Sequence, residues 1–148
     1  MKLKWLMILI TLYVIAFITN LMPAAKYPDT TMNSLNLLVS ILFLITLLIF
    51  TKKASNKWLK MFLLLGSISG LVVYAIKRFE DTMMNYVIWD IIASIQYPFY
   101  LIFTTPLFGI NYLFQMNYEI FSLLMSAVYV IALILVMSLK KVDTQNNI

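Results

Sequence analysis

Asp90 is the only acidic residue inside an otherwise uncharged apolar stretch, Tyr86 to Phe103. An ionisable side chain at membrane depth points by default to ion or proton handling. The plainer reading sets Asp90 on the wet side of an interfacial helix, with Lys77 or Arg78 as neighbours. Asp90, Gln96, Asn111 and Gln115 would then gather, with Asn20, Asn36 and Glu119, toward one membrane face. A shallow polar pocket roofed by aromatics there would suit a peptide, a lipid headgroup or a partner loop. Glu119 needs no such site, because a carboxylate in a helix's first turn meets the positive end of the dipole.

Gly66-Ser67-Ile68-Ser69-Gly70 places two of the chain's three glycines four residues apart. On a membrane helix that spacing lets another backbone approach closely, and Ser67 or Ser69 can hydrogen-bond across the contact. Packing within the chain's own bundle is the expected use, with homodimerisation as the alternative. The run is not a phosphate loop, since spacing, lysine and preceding strand are all missing. Ser122 with Ser126, and Asn36 with Ser40, repeat the four-residue spacing, so each pair shares one helical face.

Composition narrows the chemistry further. The chain has no cysteine and no histidine, which removes disulfides, thiol chemistry, iron–sulfur ligation and the commonest general base and metal ligand. A serine–lysine dyad needs its two groups within hydrogen-bond reach. Here the lysines flank the apolar segments, while most serines sit within them. Neither an enzyme nor a resident metal or cofactor is expected. The net charge of +5 does not imply a nucleic-acid partner, because the lysines border apolar segments where they would meet anionic headgroups.

At 148 residues, 63% hydrophobic and 11% charged, the chain reads as one all-α membrane domain, residues 1–139, with a polar tail at 140–148. Four spans are predicted, at about 5–22, 35–50, 58–76 and 120–139, apolar over about 16 to 20 residues, where about 20 match the roughly 30 Å hydrocarbon core. Pro23 and the Tyr27-Pro28-Asp29 turn are predicted to end the first, and Asn33 or Ser34 to cap the second. A signal peptide starts similarly, but the long apolar stretch and Pro23-Ala24-Ala25 make a poor cleavage site. Val142 to Ile148 is expected to be disordered.

Between the third and last spans, 82–118 is apolar but interrupted. Met84, Val87, Ile88, Ile91 and Ile95 share one side of a helical wheel, with Trp89, Asp90, Ala93, Ser94 and Tyr97 on the other. That predicts an interfacial amphipathic helix from Thr82 to Tyr97, followed by a kinked or re-entrant segment, Phe99 to Thr105, between Pro98 and Pro106. Ten of the 22 aromatics lie between Tyr86 and Tyr118, which suggests an aromatic belt at the interface. The alternative makes Tyr86 to Phe103 a fifth span and buries Asp90, at about 2.5 to 3.5 kcal/mol on insertion scales.

Charge sets the orientation. With four spans and both chain ends in the cytoplasm, Lys2, Lys4, Lys52, Lys53, Lys57, Lys60, Lys140 and Lys141 lie inside, eight of eleven basic residues. Five of the six acids, Asp29, Glu80, Asp81, Asp90 and Glu119, then lie outside. The positive-inside rule favours this arrangement in a cell membrane, and the Lys-heavy basic set suggests a bacterial one. Lys52, Lys53, Lys57, Lys60, Lys140 and Lys141 act as topology determinants and anionic-lipid anchors. The expected role is a non-catalytic accessory, regulatory or protective (immunity-like) subunit. Its expected partners are the lipid bilayer and another membrane protein or a second copy. The alternative is an oligomeric pore or small-solute carrier component.

Overall fold

The computed structural model describes residues 2–53, 57–83 and 87–145. Every regular element among them is helical. The elements are α1 (Lys2–Ala25), α2 (Ser34–Lys53), α3 (Lys57–Met83), α4 (Val87–Ser94), α5 (Gln96–Phe99), a π-helical turn (Tyr100–Thr104), a 3₁₀ segment (Thr105–Ile110), α6 (Asn111–Phe114) and α7 (Tyr118–Gln145). Five helical stretches are long and apolar enough to cross a membrane: Leu3–Ala25, Ser34–Lys53, Lys57–Glu80, Ile91–Phe114 and Tyr118–Ser138. The chain is an all-α membrane protein. The fourth stretch is the least hydropathic of the five, because its polar residues and prolines dilute the apolar run.

Local chemistry explains the helix boundaries. Asn33 caps α2: its Oδ1 accepts the N–H groups of Leu35 and Asn36 at 3.0 and 3.1 Å, and Asn36 Oδ1 accepts the Asn33 N–H in return. This is a capping box built from two asparagines. Pro23 does not end α1, which continues to Ala25. Its missing N–H leaves the Thr19 carbonyl without a helical donor, and the Asn36 amide supplies one at 2.9 Å. At the other extreme, α7 continues through Val142–Gln145 rather than ending at Leu139.

Helices α3 and α7 form the most extensive contact, and they run antiparallel. Gly66 faces the Tyr129 ring, Gly70 faces Ser122 and Ser126, and Lys77 stands 6.0 Å from the Tyr118 ring centroid. Helices α1 and α2 are antiparallel too, with Asn20 against Ser40 and Lys53 3.7 Å from the centre of the Trp5 ring. Lys4, Lys53 and Lys57 therefore mark one end of the bundle, and Ala24, Asn33, Lys77 and Tyr118 the other.

Residues 91–114 wedge between these pairs, and contacts fix their depth. Tyr100 donates to the Ala24 carbonyl at 3.0 Å and packs edge-on to Tyr118. Phe108 packs edge-on to Tyr27 in the α1–α2 turn. Both contacts lie at the end remote from Lys4, Lys53 and Lys57. Between them, Phe103 comes within 5.2 Å of Phe62 and 6.1 Å of Tyr129, ring centre to ring centre. The segment dips into the bundle at Ile102–Phe103, and it follows α3 and precedes α7 at the same end.

Two sequence expectations need correction here. Thr82 to Tyr97 is not one interfacial helix: Thr82 and Met83 belong to α3, α4 begins at Val87, and Ile95 is a turn before α5. Ile88, Ile91 and Ile95 do share an outward face, while Ala93 is buried. Nor do the aromatics form a surface belt throughout. Tyr97, Tyr112 and Phe114 are exposed, but Tyr100, Phe103 and Phe108 are buried in the core. Their rings fill the wedge, and the Tyr100 hydroxyl caps a carbonyl there, which offsets the cost of burying it.

The return to α7 is made by a tight turn. Asn111 spends its whole amide on Met116, donating to its carbonyl at 2.8 Å and accepting its N–H at 2.9 Å. Gln115 adopts the left-handed conformation, φ 51°, which costs a non-glycine residue about 1 kcal/mol. Gln115→Gly is therefore expected to raise the unfolding free energy by about that much, read as a higher melting temperature in detergent. An unchanged or lower value would show that the Gln115 side chain contributes a compensating contact.

Candidate functional site

The polar groups converge where the fourth stretch crosses α1 and α2. Asn20 is fully buried and donates its amide to the Ala16 carbonyl at 2.8 Å, to Ser40 Oγ at 2.9 Å and to the Pro106 carbonyl at 3.4 Å. Ser40 donates its hydroxyl to the Pro106 carbonyl at 3.0 Å and accepts the Gly109 N–H at 3.2 Å. With one donor and two acceptor sites, this hydroxyl is saturated. It stitches α2 into the 3₁₀ segment. The approach is close because Gly109 has no side chain: a Cβ there would strike the Asn36 backbone and lie 2.6 Å from Ser40 Oγ.

A rule organises these bonds. Each proline in a helical path deprives the carbonyl four residues earlier of its donor. Thr19, before Pro23, receives the Asn36 amide. The Ala24 carbonyl, at the end of α1 and before the turn that holds Pro28, receives the Tyr100 hydroxyl. Ile102, before Pro106, receives the Tyr13 hydroxyl at 2.9 Å. The adjacent Phe103 carbonyl, at the change from π-helical to 3₁₀ winding, receives the Tyr129 hydroxyl at 2.8 Å. Pro106 thus loosens the helix without breaking it, and side chains from α1 and α7 satisfy what it frees. In apolar surroundings such groups cannot turn to water.

Tyr13→Phe and Tyr129→Phe each orphan one carbonyl while keeping the ring. Each is expected to cost about 1 kcal/mol, within the range for hydrogen bonds inside membrane proteins. Thermal unfolding in detergent measures this. No loss in either variant would mean that the π turn finds its own donors.

The predicted packing residues occupy the α3–α7 seam. The Ser126 hydroxyl donates to the Ser67 carbonyl at 2.7 Å across the contact. Ser67 and Ser69 bond back to the Leu63 and Gly66 carbonyls on their own helix. Ser122 donates to the Tyr118 carbonyl and accepts the Thr104 hydroxyl at 3.2 Å, linking this seam to the dipping segment.

The four residues suggested as an outer polar site have separate surroundings. Asn111 is committed to its turn, and Gln115 is exposed in the left-handed position. Gln96 is buried, with neither amide atom bonded among the described residues. Asp90 lies in α4, and its side chain falls outside the described residues. Of the lysine anchors, Lys52, Lys53 and Lys57 are exposed and Lys60 is half-buried, all beside the α2–α3 junction. Lys140 and Lys141 lie in α7, with side chains outside the description.

Sequence reasoning missed Tyr13, Tyr129 and Gly109, and it noted Asn20 only as one of the outer-face polar residues. The one usable signal was the presence of a proline inside an apolar run, which exposes a carbonyl four residues earlier; the carbonyls before Pro23 and Pro106 are met by side chains from other helices.

A second feature lies nearer the lysine end. A cavity of about 370 Å³ opens between α1, α2 and α3, lined by apolar and aromatic side chains including Leu9, Phe43, Leu47, Phe50, Leu59 and Phe62. Tyr13 lines it as well, but its hydroxyl is turned to Ile102.

No protein-family model, curated protein or solved structure matches this chain.

Proposed function

We propose that the protein is a non-catalytic membrane subunit with an accessory, regulatory or protective role, acting through what it binds within the bilayer. One observation carries this reading: the serine hydroxyls at the helix contacts are spent on the protein's own backbone. Ser40, Ser67, Ser69, Ser122 and Ser126 all donate to carbonyls, whereas a serine nucleophile must pass its proton to a base. The result is a rigid scaffold whose remaining resources are exposed helix faces and the apolar cavity. In this reading the chain crosses a cell membrane four times. Residues 91–114 dip in from the outer face and return, and both chain ends lie on the cytoplasmic side with most of the lysines.

The unpaired Gln96 amide favours one second reading, a component of an oligomeric pore or carrier. Reconstitution separates the two. Proteoliposomes are expected to show no ion or proton flux above empty vesicles, while photo-crosslinking from the exposed faces of α3 or α4 in cells captures a membrane partner. A flux abolished by Asp90→Asn, with no captured partner, would overturn the proposal in favour of transport.

A further inference from the structure

We infer that the cavity between α1, α2 and α3 is a binding site for one acyl chain of an anionic phospholipid. The inference rests on the membrane placement proposed above and names a ligand for it. The depth of the site comes from its lining: Leu6, Leu9 and Tyr13 from the first half of α1, Phe43 to Phe50 from the second half of α2, and Trp58 to Phe62 from the start of α3. These run from mid-bundle to the lysine end, the depth of one leaflet.

A space of about 370 Å³ falls within the range of small-molecule sites. Its walls offer little to a water-soluble ligand: the one hydroxyl on them is bonded elsewhere, and the Trp58 indole N–H is the other polar group among the lining residues. Hydrocarbon is the chemistry that fits. The bulk bilayer contacts convex helix faces, whereas this recess holds a single chain between three helices.

Charge at the mouth selects the headgroup. Lys4, Lys52, Lys53, Lys57 and Lys60 stand on the three helix ends that frame the cavity. Lys53 is held over the Trp5 ring, next to the lining residue Leu6. Trp58, 78% exposed, lines the cavity as well, so it belongs at the headgroup boundary where indoles concentrate. The acids Asp29, Glu80 and Glu119 lie at the opposite end. A phosphate held by the lysines, with one tail between the helices, satisfies both halves of the site.

Trp58 is the natural reporter. A protein carrying Trp5→Phe and Trp89→Phe, reconstituted in phosphatidylcholine vesicles, is titrated with phosphatidylglycerol brominated on its acyl chains, or with brominated phosphatidylcholine at the same mole fraction. The expected result is quenching at several-fold lower mole fraction by the anionic lipid. That preference should be lost in Leu47→Phe, which fills the cavity. It should also fall by about fivefold for each of Lys53→Gln and Lys57→Gln, surface changes that leave the cavity walls intact. Equal quenching by the two lipids overturns the site. A preference that survives Leu47→Phe overturns the cavity as its location and leaves only lysine attraction. No quenching by either lipid would instead refute the membrane placement, and the site with it.

Discussion

Gly109→Ala is expected to destabilise the protein by about 3 kcal/mol or more, the upper part of the range for forced overpacking. A Cβ at this position meets the backbone oxygen and carbon of Asn36 rather than the tip of a side chain. Backbone of a capped helix cannot step aside cheaply: Asn36 is fixed by its capping box with Asn33 and by its bond to the Thr19 carbonyl. Pushing the 3₁₀ segment away also breaks the Gly109 N–H to Ser40 bond and loosens the Pro106 carbonyl. The measurement is the melting temperature in detergent, alongside yield from the membrane. A loss below about 1 kcal/mol would mean that the fourth stretch does not press on α2 as described.

Gly70→Ala should be comparably damaging. Its Cβ would strike the Ser122 carbonyl and lie 2.6 Å from Ser126 Cβ, prising α3 from α7 along their longest contact. Gly66→Ala should also be damaging: the obstacle is the near edge of the Tyr129 ring, 2.6 to 2.9 Å away, and that ring is fully buried with its hydroxyl bonded to the Phe103 carbonyl. The pair also decides what the glycines are for. If Gly66 and Gly70 served a homodimer, Gly70→Ala would lower the oligomeric state and leave the melting temperature of the monomer unchanged. If they serve the seam within one chain, stability falls and the oligomeric state does not follow.

Much of the architecture was legible because lipid imposes simple demands. Apolar length located α1, α2, α3 and α7 to within a few residues at most ends, and the four-residue spacing of Gly66 and Gly70 pointed to a close approach. The errors share one cause. Pro23 is predicted to end the first helix, yet it sits inside α1 because a distant side chain, Asn36, repairs the carbonyl it exposes. No periodicity reports a partner 17 or 89 residues away, as for Asn36 with Thr19 or Tyr13 with Ile102. The same blindness made Tyr100, Phe103 and Phe108 look like an interfacial belt. An aromatic cluster on one strip of sequence reads alike whether it meets headgroups or fills a wedge between helices. The outer polar site suffered from the reverse problem: residues adjacent in level, such as Asn111 and Gln115, have separate local duties.

The account depends on the stretch from Ile91 to Phe114 entering and leaving at one end of the bundle, so that α3 and α7 run antiparallel and the chain crosses the bilayer an even number of times. Single cysteines at Lys4, Asp29, Gln115 and Gln145, labelled with an impermeant thiol reagent in intact and in opened cells, test this directly. Asp29→Cys and Gln115→Cys are expected to react in intact cells, and Lys4→Cys and Gln145→Cys only after opening. Labelling of Gln145→Cys from outside while Lys4→Cys stays protected would place the two ends of the chain on opposite sides, and the even count would be wrong.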